Sequence, residues 1–276
     1  MTRATDPTAF PIPLVLAGAG KMGAALLRGW LASGLDPAAV TVVDPQPAPE
    51  IAALCAARGI ALNPASREPA AVVVLAIKPQ GLEAAAPGLS GLLGPDGLLV
   101  SILAGKTVAD LRARLPEAGA VVRAMPNLPA SIGRGATGAV ASSDVTDAQR
   151  ALADALLAAS GHVEWLEAEA AMDAVTAVSG SGPAYVFHLV EALAEAGVAA
   201  GLAPETARRL ARATVTGAGA LLEASPLEAA ELRRNVTSPG GTTAAALDVL
   251  MRADGLTALM REAVAAAKDR AGELAG

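Results

Sequence analysis

The glycines at positions 18, 20 and 23 have the spacing of a loop that binds a dinucleotide pyrophosphate. They lie in Gly18-Ala19-Gly20-Lys21-Met22-Gly23, after the apolar run Leu14–Ala17 and before the helical spacing of Ala24–Ala32. In such a strand–loop–helix unit, the first glycine permits a tight turn and the second lets the backbone approach the pyrophosphate. The third lets helix and strand pack closely. The motif therefore predicts a nicotinamide dinucleotide site; the alternative is a glycine-rich turn without a ligand.

Asp44 follows the second short apolar run, Val40–Val43. A carboxylate at this position commonly accepts hydrogen bonds from the adenosine ribose of NAD. No Arg or Lys lies between Asp44 and Leu54 to receive the 2′-phosphate of NADP. This pattern favours NAD, unless Asp44 only caps the turn before Pro45. The expected cofactor is therefore NADPH or NADH.

Further polar and proline-rich segments follow later apolar runs. Ala76-Ile77-Lys78-Pro79-Gln80 ends one run, Ser101–Gly105 ends the next, and Arg123–Ala130 contains a Pro-punctuated loop. The carboxyl ends of parallel strands line the ligand crevice of a doubly wound sheet. These segments are therefore candidates for the nicotinamide side, and the alternative for each is a solvated or structural connector.

The segment Ser238-Pro239-Gly240-Gly241-Thr242-Thr243 opens a helical stretch in the second half of the chain. Hydroxyl groups, backbone N–H groups and a helix N-terminus converge there, which suits a small carboxylate. Ordinary N-capping by Ser or Thr explains the same residues equally well.

No side chain stands out as a protein acid for carbonyl reduction. The chain has 2 His and 1 Tyr; His162 is expected at a surface or in packing, and His188 in a core. Reduction of an imine has less need of such an acid, because a protonated imine is already electrophilic. The composition thus favours C=N chemistry.

Alternating strand and helix patterns predict the elements that position these residues. Strand-like runs at Leu14–Ala17, Val40–Val43, Val72–Ile77, Leu98–Leu103, Ala120–Arg123 and Gly138–Ala141 alternate with helical segments, which predicts a doubly wound parallel sheet. After about residue 145 only helical spacing is evident. We therefore predict an N-terminal Rossmann-type α/β domain at 13–165 and an all-helical domain at 166–276, after a disordered lead-in at 1–12.

Composition excludes several classes of protein. Charged residues make up 17% and the net charge is −6, which argues against a nucleic-acid binder. The single Cys excludes a disulfide framework and a Cys-based zinc site, and no metal site is expected. The most apolar stretch, Val186–Ala203, contains Glu191 and Glu195, so no membrane association is expected. A cytoplasmic protein is the expectation.

Taken together, the motifs resemble those of the pyrroline-5-carboxylate reductase family. The resemblance runs from about Pro13 to the C-terminus and is most specific in AVSGSGPAYVF at 177–187 and NVTSPGGTTAAAL at 235–247. RAMPN at 123–127 and AIKPQ at 76–80 support it. The resemblance implies a Rossmann domain, a helical dimerisation domain, and homodimers that assemble further, commonly into decamers (pentamers of dimers). It also implies hydride transfer from NAD(P)H to the imine carbon, C5, of 1-pyrroline-5-carboxylate, which gives L-proline in the last step of proline biosynthesis.

The resemblance also implies roles for individual residues. The pyrophosphate would be held by Ala17, Gly18, Ala19, Gly20, Lys21 and Met22, and the nicotinamide pocket lined by Ala76, Ile77, Lys78, Pro79 and Ala104. Asn235 would contact the cofactor from the helical domain. The substrate and its carboxylate would be bound by Glu169, Ser238, Gly240, Gly241, Thr242 and Thr243, with Ser238 and Thr243 at the catalytic centre.

Some positions depart from the family pattern, and other functions stay open. Ser66 stands where many members carry an Asn that helps position the adenosine side. One alternative is a reductase of another small imino or keto acid in the 6-phosphogluconate-dehydrogenase-like class, although Pro183–Gly197 lacks the Lys such enzymes often use. Another is a nucleotide-sensing module that has kept the fold without the reaction.

Overall fold

A computed structural model describes residues 13–66 and 68–275. The predicted lead-in at 1–12 lies outside these residues. The chain divides into two compact units: one ends at Gly180 and takes in the C-terminal residues from Lys268, and the other is Ser181–Ala267. The predicted boundary after residue 165 lies before Gly180, where the first stretch of this unit ends. The residues from Lys268, predicted as part of the helical domain, also belong to the first unit.

The first unit is built on an eight-stranded sheet with the strand order β3-β2-β1-β4-β5-β6-β7-β8. All neighbouring strands are parallel except β6 and β7, which are antiparallel. The strands are β1 Leu14–Ala17, β2 Val40–Val43, β3 Ala61–Leu62, β4 Ala70–Leu75, β5 Leu93–Ser101, β6 Ala120–Met125, β7 Gly135–Ala141 and β8 Gly161–Trp165.

Helices cover both faces of this sheet, because successive strand residues point to opposite sides. Leu14 and Leu16 of β1 join a core with Leu26 and Trp30, whereas Val15 joins a second core. The first core is covered by α1 Lys21–Ala32, α2 Pro49–Arg58 and α5 Asp147–Ala158, and the second by α3 Leu82–Leu89 and α4 Val108–Arg114. The predicted doubly wound Rossmann-type α/β architecture is confirmed.

The structure corrects the prediction in several elements. β7 runs antiparallel to β6, so the sheet is mixed at this end. The expectation of helices alone after residue 145 was wrong, since β8 follows α5. β8 is an edge strand whose sequence, GHVEW, places polar side chains at alternate positions. It was missed because it contains no continuous apolar run. Sequence reasoning also missed β3, which has two residues, and α3, which contains Pro87.

The segment after β8 and the second unit are helical. A short helix, α6 Met172–Val175, continues into a π-helical turn at Thr176–Gly180. The helices that follow are α7 Gly182–Ala199, α8 Pro204–Ala224, α9 Ala229–Asn235, α10 Thr242–Leu250 and α11 Leu256–Ala275. Large apolar side chains on α7 are exposed in the single chain, Phe187 by 56% and Leu189 by 47%. Such an apolar surface is typical of a chain that associates.

Candidate active site

The predicted cofactor residues meet at one edge of the sheet. The strand ends Val43, Ala17, Leu75 and Ser101 are neighbours in register across β2, β1, β4 and β5. The glycine loop, Asp44, Ala76–Pro79 and Ala104 follow these ends directly. From β1 the chain first adds β2 and β3 on one side and then β4, β5 and β6 on the other, so the strand order reverses between β1 and β4. Doubly wound proteins bind nucleotides in the crevice at such a switch point.

The three glycines of the loop have different steric environments. Gly18 has φ +90°, and a Cβ there would lie 2.8 Å from the backbone of Ala76. A Cβ on Gly23 would lie 2.1 Å from the carbonyl oxygen of Gly18, whereas a Cβ on Gly20 would meet nothing within 4 Å. Gly18 and Gly23 are therefore required by the packing of the protein itself. Gly20 leaves open space where a ligand's pyrophosphate would approach, so the loop fits a dinucleotide.

The N-terminus of α1 is available to an anion. Its N-cap is Gly20, no side chain caps it, and its first turn holds no acidic residue. Among residues 13–66 and 68–275, no side chain accepts from the N–H groups of this first turn, and the positive end of the helix dipole lies at the loop. Lys21 is exposed at the first helical position. These features are those of a phosphate site at a helix start.

Asp44 is bonded to the glycine loop. Its Oδ2 accepts from the Ala19 N–H at 2.8 Å, and its Oδ1 accepts from the Gln46 N–H at 2.9 Å. Asn63 accepts from the Asp44 N–H at 2.9 Å and donates to the Asp44 carbonyl at 2.6 Å. Ala19 thus helps to fix the loop, since its N–H is already engaged. Asp44 does cap its own turn, and each carboxylate oxygen keeps a free lone pair for a ligand.

The other predicted cofactor residues line the same edge. Ala76 follows β4 and donates its N–H to the Ala17 carbonyl at 2.7 Å. Ile77 is partly buried and Lys78 is exposed, before the 3₁₀ turn that Pro79 opens. Ala104 is exposed beyond β5. Their contact with the nicotinamide stays a prediction.

Glu169 belongs to the first unit and is held there by two bonds. Its Oε1 accepts from Arg123 Nη1 at 3.0 Å and from the Val108 N–H at 2.9 Å. Arg123 is only 4% exposed, whereas one third of the Glu169 side chain is exposed. The carboxylate therefore joins the end of β6 to the start of α4. Its predicted contact with substrate stays a prediction.

Sequence reasoning treated the RAMPN segment as a nicotinamide neighbour or a connector and missed its contacts with the SGSGP segment. Asn127 is 9% exposed; its Oδ1 accepts from the Ala136 N–H at 2.8 Å, and its Nδ2 donates to the Ser179 carbonyl at 3.0 Å. A Cβ on Gly180 would lie 3.2 Å from Met125 Cε. Asn127 thus satisfies a carbonyl in the π-helical turn, where ordinary helical bonding is interrupted.

In the second unit, the predicted substrate residues gather at the start of α10. Ser238 and Thr242 are exposed, and Thr243 is partly exposed. The N-cap of α10 is Gly241, without a side-chain hydrogen bond, and Gly240 has φ +69°. The alternative of ordinary Ser or Thr capping is therefore not realised. Asn235 ends α9, a few residues before this loop.

The two histidines and the cysteine are the remaining candidate reactive groups. His162 is at the surface, as predicted, 3.2 Å from Glu164. The prediction of a core His188 was wrong for the single chain, since its side chain is 80% exposed and 3.1 Å from Glu191. Burial raises the pKa of the Cys55 thiol, which makes it a poor nucleophile. Within residues 13–66 and 68–275, no group of His, Cys, Asp or Glu is arranged to hold a metal ion. No helix in the same residues has the length and apolar character needed to cross a bilayer.

Comparison with known families separates the two halves of the chain. Residues 169–274 match the family model described as pyrroline-5-carboxylate reductase dimerisation. Residues 14–105 match the model described as NADP oxidoreductase, coenzyme F420-dependent. The helical and nucleotide-binding parts thus each resemble an oxidoreductase module.

Whole-chain relatives agree with these matches. The pyrroline-5-carboxylate reductase of Pseudomonas aeruginosa is 45% identical over 94% of this chain and 95% of its own. The solved structure of the Coxiella burnetii enzyme aligns with a TM-score of 0.89 at 35% identity, covering 96% of this chain and 98% of that one. The Plasmodium falciparum pyrroline carboxylate reductase, solved with NADP bound, aligns at 0.75 and 26% identity over 96% and 98%. This chain belongs to the pyrroline-5-carboxylate reductase family.

Proposed function

We propose that this protein reduces 1-pyrroline-5-carboxylate to L-proline with NAD(P)H, the last step of proline biosynthesis. The observation that carries the proposal is a pair of helix starts left open by the protein itself. α1 begins after Gly20 and α10 begins after Gly241, and neither has a side-chain cap. One suits a pyrophosphate and the other a carboxylate.

The substrate carboxylate is proposed to bind at Ser238–Thr243. The free N–H groups of the first turn of α10 can donate to carboxylate oxygens, and the positive end of the helix favours the anion. The hydroxyls of Thr242 and Thr243 extend this set of donors. Gly240 and Gly241 keep the approach free of side chains, so a small cyclic imino acid can reach the backbone.

The residues at the sheet edge are proposed to hold the dinucleotide. Ala17–Met22 are proposed to contact the pyrophosphate, Asp44 the adenosine ribose, and Ala76–Pro79 with Ala104 the nicotinamide. Asn235 is proposed as a further cofactor contact. The bound nicotinamide supplies the hydride to the imine carbon. Since the protonated imine is already electrophilic, the protein's task is to orient it and to exclude water.

Replacement of Thr243 tests the substrate site. Thr243→Ala should lower kcat/KM for 1-pyrroline-5-carboxylate by about tenfold or more, because one hydrogen-bond donor to the substrate is lost. Affinity for the dinucleotide, measured by fluorescence titration, should stay within about twofold of wild type. Thr214→Ala, at an exposed position of α8, is the matched control. Wild-type kinetics for Thr243→Ala would contradict this placement.

Assembly is proposed to involve the helical unit. The match to a dimerisation domain supports oligomers, and the exposed apolar side chains of α7, α8 and α11 support a homodimer. A decamer made of five dimers is the larger assembly that we propose. Mass measurement in solution should give multiples of 27.2 kDa, and a stable monomer would contradict the proposal. We place the enzyme in the cytoplasm, which fractionation of cells of the source organism can test.

A further inference from the structure

The carboxylate of Asp44 is a fixed negative charge at the end of β2. One oxygen is bonded to the glycine loop through Ala19, and the other to the turn through Gln46. The Asp44 backbone is held on both sides by the Asn63 amide. Rotation of the side chain away from the crevice would break at least one of these bonds. These bonds hold the carboxylate at the end of β2 in the structure.

No cation in the described chain neutralises this charge. Asp44 has no ion-pair partner among residues 13–66 and 68–275, and the residues from Asp44 to Leu54 include no Lys or Arg. Instead, Glu50 adds an exposed carboxylate in the first turn of α2, six residues after the partly buried Asp44. The stretch from Asp44 to Glu50 therefore carries two negative charges and no positive one.

These charges affect NADH and NADPH in opposite ways. The 2′- and 3′-hydroxyls of the adenosine ribose of NADH can donate to the free lone pairs of the Asp44 carboxylate. The 2′-phosphate of NADPH replaces one donor by a negatively charged acceptor, which the carboxylate repels. Arg or Lys side chains that receive such a phosphate in NADP-binding proteins are lacking in this turn.

We propose that Asp44 determines cofactor choice in this chain and makes NADH the preferred reductant. The inference rests on the proposed function. It also concerns this chain specifically, since the Plasmodium falciparum relative was solved with NADP.

Direct binding and kinetics with both cofactors test the proposal. For the wild type, Kd from the fluorescence of the reduced nicotinamide should be at least about tenfold lower for NADH than for NADPH. The kcat/KM measured with 1-pyrroline-5-carboxylate should likewise be at least about tenfold higher with NADH than with NADPH. Higher ionic strength should narrow the difference in Kd, because the discrimination is electrostatic.

Three variants test which residue causes the preference for NADH over NADPH. Asp44→Asn keeps one acceptor oxygen and removes the charge, and should reduce the NADH preference at least about fivefold, chiefly by tighter NADPH binding. Glu50→Gln removes one charge from the same region outside the ribose contact and should change the ratio by less than about twofold. Arg67 lies outside the described residues, and Arg67→Ala should leave the ratio unchanged.

The outcomes separate this inference from the proposed function. Tighter binding of NADPH by the wild type would overturn the inference, even if proline is formed. An unchanged ratio in Asp44→Asn, or selective loss of NADPH binding in Arg67→Ala, would also overturn it. Preferential NADH binding without turnover of 1-pyrroline-5-carboxylate would support the role of Asp44 and contradict the proposed reaction.

Discussion

Asn127 uses both ends of its amide to join the loop after β6 to two other segments. Its carbonyl oxygen accepts from the Ala136 N–H and its amide donates to the Ser179 carbonyl. Because the side chain is nearly buried, water cannot replace these bonds at low cost. The motif RAMPN therefore acts on the turn before SGSGP by hydrogen bonding as well as by packing.

Removal of the Asn127 amide should be costly. We expect Asn127→Ala to lower the free energy of unfolding by about 2 kcal/mol, since it leaves two partly buried backbone groups without their partner. Urea denaturation measures this change. Ser131→Ala in the same loop removes an exposed hydroxyl bond to the Leu128 carbonyl and should cost less than about 0.5 kcal/mol. Equal losses for the two variants would refute the role of Asn127.

The Arg123–Glu169 pair gives a second prediction at this scale. Glu169→Gln removes the charge that faces the nearly buried Arg123, so we expect unfolding free energy to fall by about 2 kcal/mol. Glu164→Gln, which alters an exposed pair with His162, should change it by less than about 0.5 kcal/mol. Thermal unfolding measures both, and a neutral Glu169→Gln would show that the pair is not structural.

In the glycine loop, Gly23 is needed for stability of the fold, whereas Gly20 is expected to matter for cofactor binding. Gly23→Ala places a Cβ against the Gly18 carbonyl and should destabilise the protein by about 2 kcal/mol. Gly20→Ala meets no neighbour and its φ of −65° suits alanine, so the melting temperature should hardly change. The added methyl group occupies space needed by the pyrophosphate, so cofactor affinity should fall about tenfold or more. Tight cofactor binding by Gly20→Ala would contradict this geometry.

The start of α4 is stabilised by a capping box between Thr107 and Asp110. Hydrogen bonds from the Thr107 backbone and hydroxyl lower the pKa of Asp110. Its carboxylate therefore stabilises the fold above the ordinary Asp pKa, and this contribution is lost as pH falls through the lowered value. Thr107→Ala should cost about 1 kcal/mol at neutral pH. Urea titrations at several acid pH values should show a weaker pH dependence in Asp110→Asn, and an unchanged dependence would contradict the assignment.

Many of the strands, helices and turns could be predicted from sequence, because apolar runs indicate buried segments and glycine spacing indicates tight turns. The central strands and most helices were predicted for that reason. A strand at Gly138–Ala141 was predicted as well, but the antiparallel direction of β7 was not, since strand direction depends on the path of the loop at 126–134 rather than on the composition of the strand. The contacts of Asp44 with Asn63 and of Arg123 with Glu169 join residues distant in sequence. Single-residue patterns carry no signal for such pairs.

For the whole molecule, association should depend on the helical unit. Phe187 lies on α7 with more than half of its side chain exposed. Phe187→Glu would place a charge in an apolar surface, so we expect it to shift the protein towards smaller species. Light scattering after size exclusion measures the change. Arg28→Glu, at an exposed position of α1, is the control, and equal assembly of both variants would argue against an interface at α7.

This chain is proposed to make proline from a cyclic imine. The most direct measurement incubates the purified protein with 1-pyrroline-5-carboxylate and either NADH or NADPH, follows absorbance at the nicotinamide band, and identifies the product by chiral chromatography. We expect oxidation of the cofactor matched mole for mole by L-proline. Absence of proline with both cofactors, from protein that is folded and binds dinucleotide, would contradict the account.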